Sequence, residues 1–288
     1  MFDEVIKEFQ EKVKELSEKA SRICVAIVYG RKLNDEKIEI EVASGFLYEH
    51  QGSIGLVTAG HVLDDEITGI RAWSNDGSLT FVDVVFRDYV NTYVSVPMRS
   101  FHQVKTWSDE GCDLGCILLG EPMRRLMYEK GMSSIPTDQL MVSELSKLPV
   151  LVLGFPAIHA RTADINAFSI ISEGERYDRI YKNVVGLGYS TIVVKPPTDK
   201  STPVLSSGVY PKTPSFSGMS GGTVIELFER DGEIVPSWLG IQSSQTSVAR
   251  SNAENHDELG DRRPVEINYL NSLLAREKLN NWLGEATQ

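Results

Sequence analysis

The sequence predicts an all-β protein in two halves, with a helix added at each end. Three observations predict it. Short runs rich in β-branched and aromatic residues, broken by Gly, Asn and Asp, recur between residues 23 and 245 at the spacing of an all-β barrel or sandwich. A polar, helical-looking stretch at about 121–147 separates two series of such runs. Amphipathic segments open and close the chain.

The opening segment is the clearest helix. Phe2, Val5, Ile6, Phe9, Val13, Leu16 and Ala20 recur at steps of three and four, with Lys and Glu between them. So one-sided a stripe must pack on something: its own domain, a regulatory partner, or a second copy in a homo-oligomer. The first series of strands is CVAIVYG, KIEIEVASGFLYE, SIGLVTAG, LTFVDVVFRD and DLGCILLG. After the connection (EPMRRLMYEKGMSS and TDQLMVSELSK) come LPVLVLGFP, FSIISEGE, VVGLGYSTIVVKP, GTVIELFE and SWLGIQSSQ. The Pro-, Ser- and Gly-rich segment at 196–218 reads as loop, and so does polar 249–264. A closing helix is expected over about 266–284, with Leu270, Leu273, Leu274, Leu279 and Leu283 on its apolar side. The division that follows is 1–22 for the N-terminal helix, 23–147 for the first half with its connection, and 148–288 for the second half and closing helix.

Composition excludes several classes. The 288 residues are 41% apolar and 24% charged, enough for a core that needs neither metal nor disulfide. A net charge of −11 lacks the basic face that nucleic acid or an anionic membrane surface requires. Three cysteines, Cys24, Cys112 and Cys116, are too few and odd in number for a secreted disulfide framework. Cys112 and Cys116 in one strand would lie about 13 Å apart, and a bridge needs less than about 7 Å. No Cys or His spacing suits a metal, so neither metal nor other cofactor is expected. The start, MFDEVIKEFQEK, carries acids where a signal peptide would be basic and then apolar, and no run approaches the length of a membrane span. A cytoplasmic protein is expected.

Three strings carry chemistry. Gly218-Met219-Ser220-Gly221-Gly222 supplies a serine in a tight turn that glycines permit and that lets a substrate come close. Thr58-Ala59-Gly60-His61 follows the apolar run SIGLV and puts a histidine at a strand end. Asp113 opens the strand DLGCILL, where a buried acid needs a polar partner. A serine hydroxyl is a weak nucleophile until a base takes its proton. Histidine does so near neutral pH, and an Asp on its other nitrogen fixes the tautomer and stabilises the imidazolium.

TAGH at 58–61, DLGCILL at 113–119 and GMSGG at 218–222, in that order, resemble the three catalytic motifs of the trypsin/chymotrypsin-like serine peptidase family, of an intracellular bacterial type. LGFP at 153–156 is similar to the start of that family's second barrel, and LGIQSS at 239–244 to the strand that pairs with substrate backbone. The resemblance spans about 23–284. It implies two antiparallel six-stranded β-barrels and a Ser-His-Asp endopeptidase acting on protein or peptide through an acyl-enzyme. His61 would be the general base, Asp113 its orienting acid, Ser220 the nucleophile, and the amides of Gly218 and Ser220 the oxyanion hole. Pro214, Ser215, Phe216, Ser243, Ser244 and Gln245 would line the substrate cleft.

The departures from the family carry information. Met219 stands where digestive members have the Asp that pairs with a newly cut N-terminus, so no zymogen cleavage is expected. Val62 replaces the usual Cys after the histidine. Pro214 replaces the acid that would select Lys or Arg, so a small or apolar side chain is expected there. Gly218-Met219-Ser220-Gly221-Gly222 also satisfies the Gly-x-Ser-x-Gly elbow of α/β-hydrolases, but only His256 follows it, in a polar segment, and TVIELFERDGEIVPSWLGI reads as a hairpin. The remaining alternative is a protease fold kept as a catalytically silent peptide-binding or regulatory module.

Overall fold

A computed structural model of the chain describes residue 11 and residues 22–34, 37–66, 69–87, 92–98, 103–136, 150–155, 168–171, 188–194, 218–230, 233–247 and 265–286. These residues are mostly β-sheet with few helices. The N-terminal helix expected over 2–20, the loops at 196–217 and 249–264, and cleft residues Pro214, Ser215 and Phe216 lie outside the described residues, Glu11 apart.

The first sheet holds β1 (Cys24–Asn34), β2 (Lys37–His50), β3 (Ser53–Thr58), β4 (Leu79–Arg87), β5 (Tyr93–Pro97), β6 (Val104–Trp107), β7 (Cys112–Leu118) and β8 (Ser134–Pro136). Their order is β5-β4-β1-β2-β3-β7-β6, with β8 added parallel to β2 and every other pair antiparallel. The second sheet holds β9 (Val150–Gly154), β10 (Phe168–Ile171), β11 (Tyr189–Val194), β12 (Thr223–Arg230), β13 (Glu233–Ser247) and β14 (Val265–Asn271), in the order β10-β9-β12-β13-β14-β11. Among the described residues neither sheet closes on itself. The first has eight strands where six were expected. Its extra members are short: β6 has four residues and β8 three, too few to show an alternating pattern.

Local chemistry accounts for the longer strands. Residues Cys24 to Gly30 of β1 are all buried, as a continuous apolar run between two covered faces should be. One face of the first sheet packs Val25, Ile27, Tyr29, Val82, Val84 and Phe86 into a core with Ile70 and Trp73 of a short helix. A second core joins the two sheets. Phe46, Tyr48, Leu114 and Cys116 of the first meet Trp238, Ile241 and Leu270 of the second, and the closing helix lies against both. Trp238 stacks edge-on to Phe46 with ring centroids 5.3 Å apart, an arrangement that suits the ring quadrupoles.

The helices are α1 (Gly60–Asp64), α2 (Ile70–Asp76), α3 (Glu121–Glu129) and α4 (Ser272–Glu285), with one 3-10 turn at Ser108–Glu110. The closing helix therefore starts at Ser272, later than the expected 266. Residues 265–271 pair with both β13 and β11, and Ile267 and Tyr269 alternate into the core as strand residues. Asn271 ends the strand and caps the helix, its Oδ1 accepting the Leu273 N–H at 2.9 Å. Ala275, Leu279 and Leu283 form the buried stripe, whereas Leu273 is 49% exposed and Leu270 belongs to the strand. In the connection, helix covers only α3. Gly131 at φ 99° turns the chain into β8, and 137–149 lie outside the described residues. No helix among the described residues is long and apolar enough to cross a membrane.

Candidate active site

His61 is placed by the turn that leaves β3. Ala59 is still extended, at φ −70° and ψ 146°, and α1 begins at Gly60. A side chain on Gly60 would crowd Ser108 Oγ at 2.9 Å and Leu114 N at 3.0 Å, so glycine lets α1 lie close on β7. Val62 and Leu63 sink into the first core and leave the imidazole on the open side, 42% exposed. Asp64, at the end of α1, accepts from Thr106 Oγ1 at 2.6 Å and Arg71 at 3.0 Å, which bolts the helical turn to β6 and α2.

Asp113 sits near the start of β7. Cys112 and Leu114 on either side point into the core between the sheets, so alternation turns the carboxylate toward His61. Asp113 Oδ1 accepts the His61 backbone N–H at 2.8 Å, and His61 Nδ1 lies 3.1 Å and 3.0 Å from the two carboxylate oxygens. Ser243 Oγ donates to Oδ2, and Asp113's own N–H donates to Tyr189 Oη at 2.6 Å.

These contacts decide the charges. Burial works to raise the Asp113 pKa, but the His61 hydrogen bond, the imidazolium charge and the Ser243 hydroxyl together bring it below the ordinary carboxylate value. The hydrogen bond to Asp113 holds the His61 pKa above its ordinary value against burial, with the charges of Asp113 and Asp65 adding to the shift. A carboxylate on Nδ1 commits the neutral ring to a proton there and leaves Nε2 as the basic nitrogen.

Ser220 comes from the second sheet, in the turn just before β12. Gly218 and Gly221 adopt φ +88° and +86°, a region L side chains avoid. Main-chain bonds hold the turn: Gly222 N–H to Met219 O, Gly221 N–H to Gln242 O and Gln242 N–H to Gly222 O, each at 2.8 Å. Across the sheets, Ser44 N–H donates to Ser220 O at 2.9 Å. A methyl on Gly221 would overlap Ser44 O and Thr58 Oγ1 and press on Ala59 N, so the turn lies directly on the segment leading into His61. Met219 is fully buried, packed against Gly154. Among the described residues no hydrogen bond links Ser220 Oγ to His61, and the amides of Gly218 and Ser220 have no backbone acceptor.

Sequence reasoning missed Ser44, which is fully buried. Its Oγ donates to Gly218 O at 2.8 Å and accepts the Phe155 N–H at 2.7 Å, and its carbonyl accepts from Thr58 Oγ1 at 2.7 Å. One hydroxyl thus ties β2, the serine turn and the end of β9. Tyr189 was missed as well. Ser243, expected in the cleft, points its hydroxyl at Asp113, while Ser244 is exposed and accepts from Asn268 Nδ2 at 3.1 Å. Gln245 lies on β13, and its side chain is outside the described residues. Among the described residues no group of His, Cys, Asp and Glu could hold a metal ion.

No family model matches the sequence, and no curated protein does. Solved structures are similar in outline. Deg5 is 16% identical with a TM-score of 0.43, over 82% of this chain and 86% of that one. A serine endoprotease from Yersinia pestis is 14% identical with a TM-score of 0.41, over 94% of this chain and 66% of that one. At such identity and score the likeness assigns the chain to no family.

Proposed function

We propose that the chain is a serine endopeptidase of the trypsin/chymotrypsin type, in which the two sheets act as that architecture's two barrels and Ser220, His61 and Asp113 form the triad. The observation that carries this reading is the His61–Asp113 pair, with its basic nitrogen left open, beside the glycine turn that presents Ser220. In the reaction, His61 Nε2 takes the Ser220 hydroxyl proton as Oγ attacks the scissile carbonyl carbon. The oxyanion is received by the amides of Gly218 and Ser220, a kind of contact worth about 10²–10³ in rate per donor. His61 then returns the proton to the leaving amine, and water repeats the cycle on the acyl-enzyme. Pro214 in place of an acid supports cleavage that does not select Lys or Arg.

One observation favours a second reading, a silent peptide-binding module: Ser220 Oγ makes no hydrogen bond to His61. Such contacts are often long in resting enzymes and tighten with substrate, so a covalent probe separates the two readings. A fluorophosphonate should label the wild-type protein and fail on Ser220→Ala and His61→Ala. Labelling that persists in Ser220→Ala removes Ser220 as nucleophile, and a wild-type protein that never labels supports the silent module.

A further inference from the structure

The imidazole–carboxylate pair belongs wholly to the first half, on α1 and β7, yet two of the carboxylate's neighbours come from the second sheet. Ser243 of β13 donates to Asp113 Oδ2, and Tyr189, the first residue of β11, accepts the Asp113 N–H at 2.6 Å. The tyrosine is held firmly. It pairs with Leu270 of β14, and the preceding Gly188, at φ +77°, takes the Asn271 N–H at 2.7 Å and lies against Leu274 of α4. Its ring packs against the core between the sheets, and its hydroxyl meets the Asp113 N–H on β7.

Resting on the triad reading, we infer that Tyr189 is a positioning residue for the His61–Asp113 pair: its hydroxyl fixes the end of β7 that carries the carboxylate and, with Ser243, ties the pair to the sheet that carries Ser220. The phenol oxygen is occupied as an acceptor, so its own proton is free for the neighbouring Ser243 hydroxyl, whose hydrogen is committed to Asp113. Each donor in such a chain strengthens the next. Burial raises the Tyr189 pKa, the Asp113 N–H at its oxygen works against that rise, and the Ser243 hydroxyl lies within hydrogen-bonding reach of the phenol. The other charged or titratable groups that act here are Asp65 on His61, and Cys112 on Tyr189.

Tyr189→Phe keeps the ring in the core and removes the acceptor. The expected result is a kcat about tenfold lower, the loss of one hydrogen bond next to a charged group, with KM unchanged. The acid limb of the pH profile should move toward the ordinary imidazole value, and the His61 Nδ1 proton should move upfield in the NMR spectrum. A folded Tyr189→Phe protein whose His61 titration and Nδ1 proton match the wild type overturns the inference. The titration needs no turnover, so an inactive wild type would sink the peptidase reading and leave this test standing. Should the variant not fold, amide exchange on the unaltered protein decides: a protected Asp113 N–H supports the inference, and exchange at the rate of an open loop overturns it.

Discussion

His61 and Asp113 are locked by side chains, whereas the turn around Ser220 is locked by main chain. The pair depends on a carboxylate that accepts the His61 backbone N–H, the imidazole and the Ser243 hydroxyl, so its weak point is charge. The turn depends on two left-handed glycines, three main-chain hydrogen bonds and the absence of a Cβ at Gly221, so its weak point is space. The difference teaches that one substitution can remove chemistry from the first region without touching the fold. In the second region, chemistry and fold fail together.

Asp113→Asn is the sharpest way to break the first half of that comparison. It keeps shape and removes charge, so on the proposed triad kcat should fall by about 10⁴ while the melting temperature moves little by comparison. The surviving activity should have its acid limb at lower pH, because the carboxylate is what raises the His61 pKa. Steady-state kinetics across pH, with a thermal melt alongside, checks both. Gly221→Ala tests the other half. The added methyl meets backbone oxygen in a left-handed conformation, and about 2–4 kcal/mol of stability should go with the activity, measured from the denaturant midpoint. A variant that lost activity at unchanged stability would show that the turn is not held by space.

Ser44→Ala sits between the two cases. It leaves the Phe155 amide and the Gly218 carbonyl without their shared partner. It should cost about 2–3 kcal/mol and loosen the serine turn while the His61 titration stays in place. The smallest effect is on the pH dependence of stability. Asp113 has a lowered pKa, so its contribution is present above the ordinary carboxylate value of 3.8 and is lost as pH falls through the lowered one. His61 has a raised pKa, so its contribution is full below the ordinary 6.5 and is lost as pH rises through the raised one. The pair therefore stabilises most between those two ordinary values, and in Asp113→Asn the denaturation midpoint should vary less with pH across that window.

What could be read from the chain divides along the same line. The pairing of His61 with Asp113 is legible because each lies in a short string of unusual composition at a strand end, and strand ends are where such strings are exposed. The long strands are legible because β1 and β2 carry enough β-branched residues to show their pattern. Ser44 and Tyr189 are not legible. A serine in a strand and a tyrosine at a strand start are ordinary in sequence, and their roles arise only through partners 111, 174 and 76 residues away. The start of the helix at 272–285 is not legible, because VEINYL has leucine and isoleucine at spacings that suit either element. Pairing on both sides of β14 decided for strand. The short elements β6, β8 and α1 are set by what they pack on.

The three cysteines have a use that the fold alone suggests. Cys24, Cys112 and Cys116 are free and buried, and burial pushes the Cys24 thiol up to about 12 and Cys112 up to about 11. Alkylating reagents attack thiolate, so the native molecule should resist them. Each modification then counts one opening event. All three lie on β1 and β7, and Cys112 and Cys116 face the core between the two sheets, so the chain carries a built-in reporter for the seam along which its halves would part.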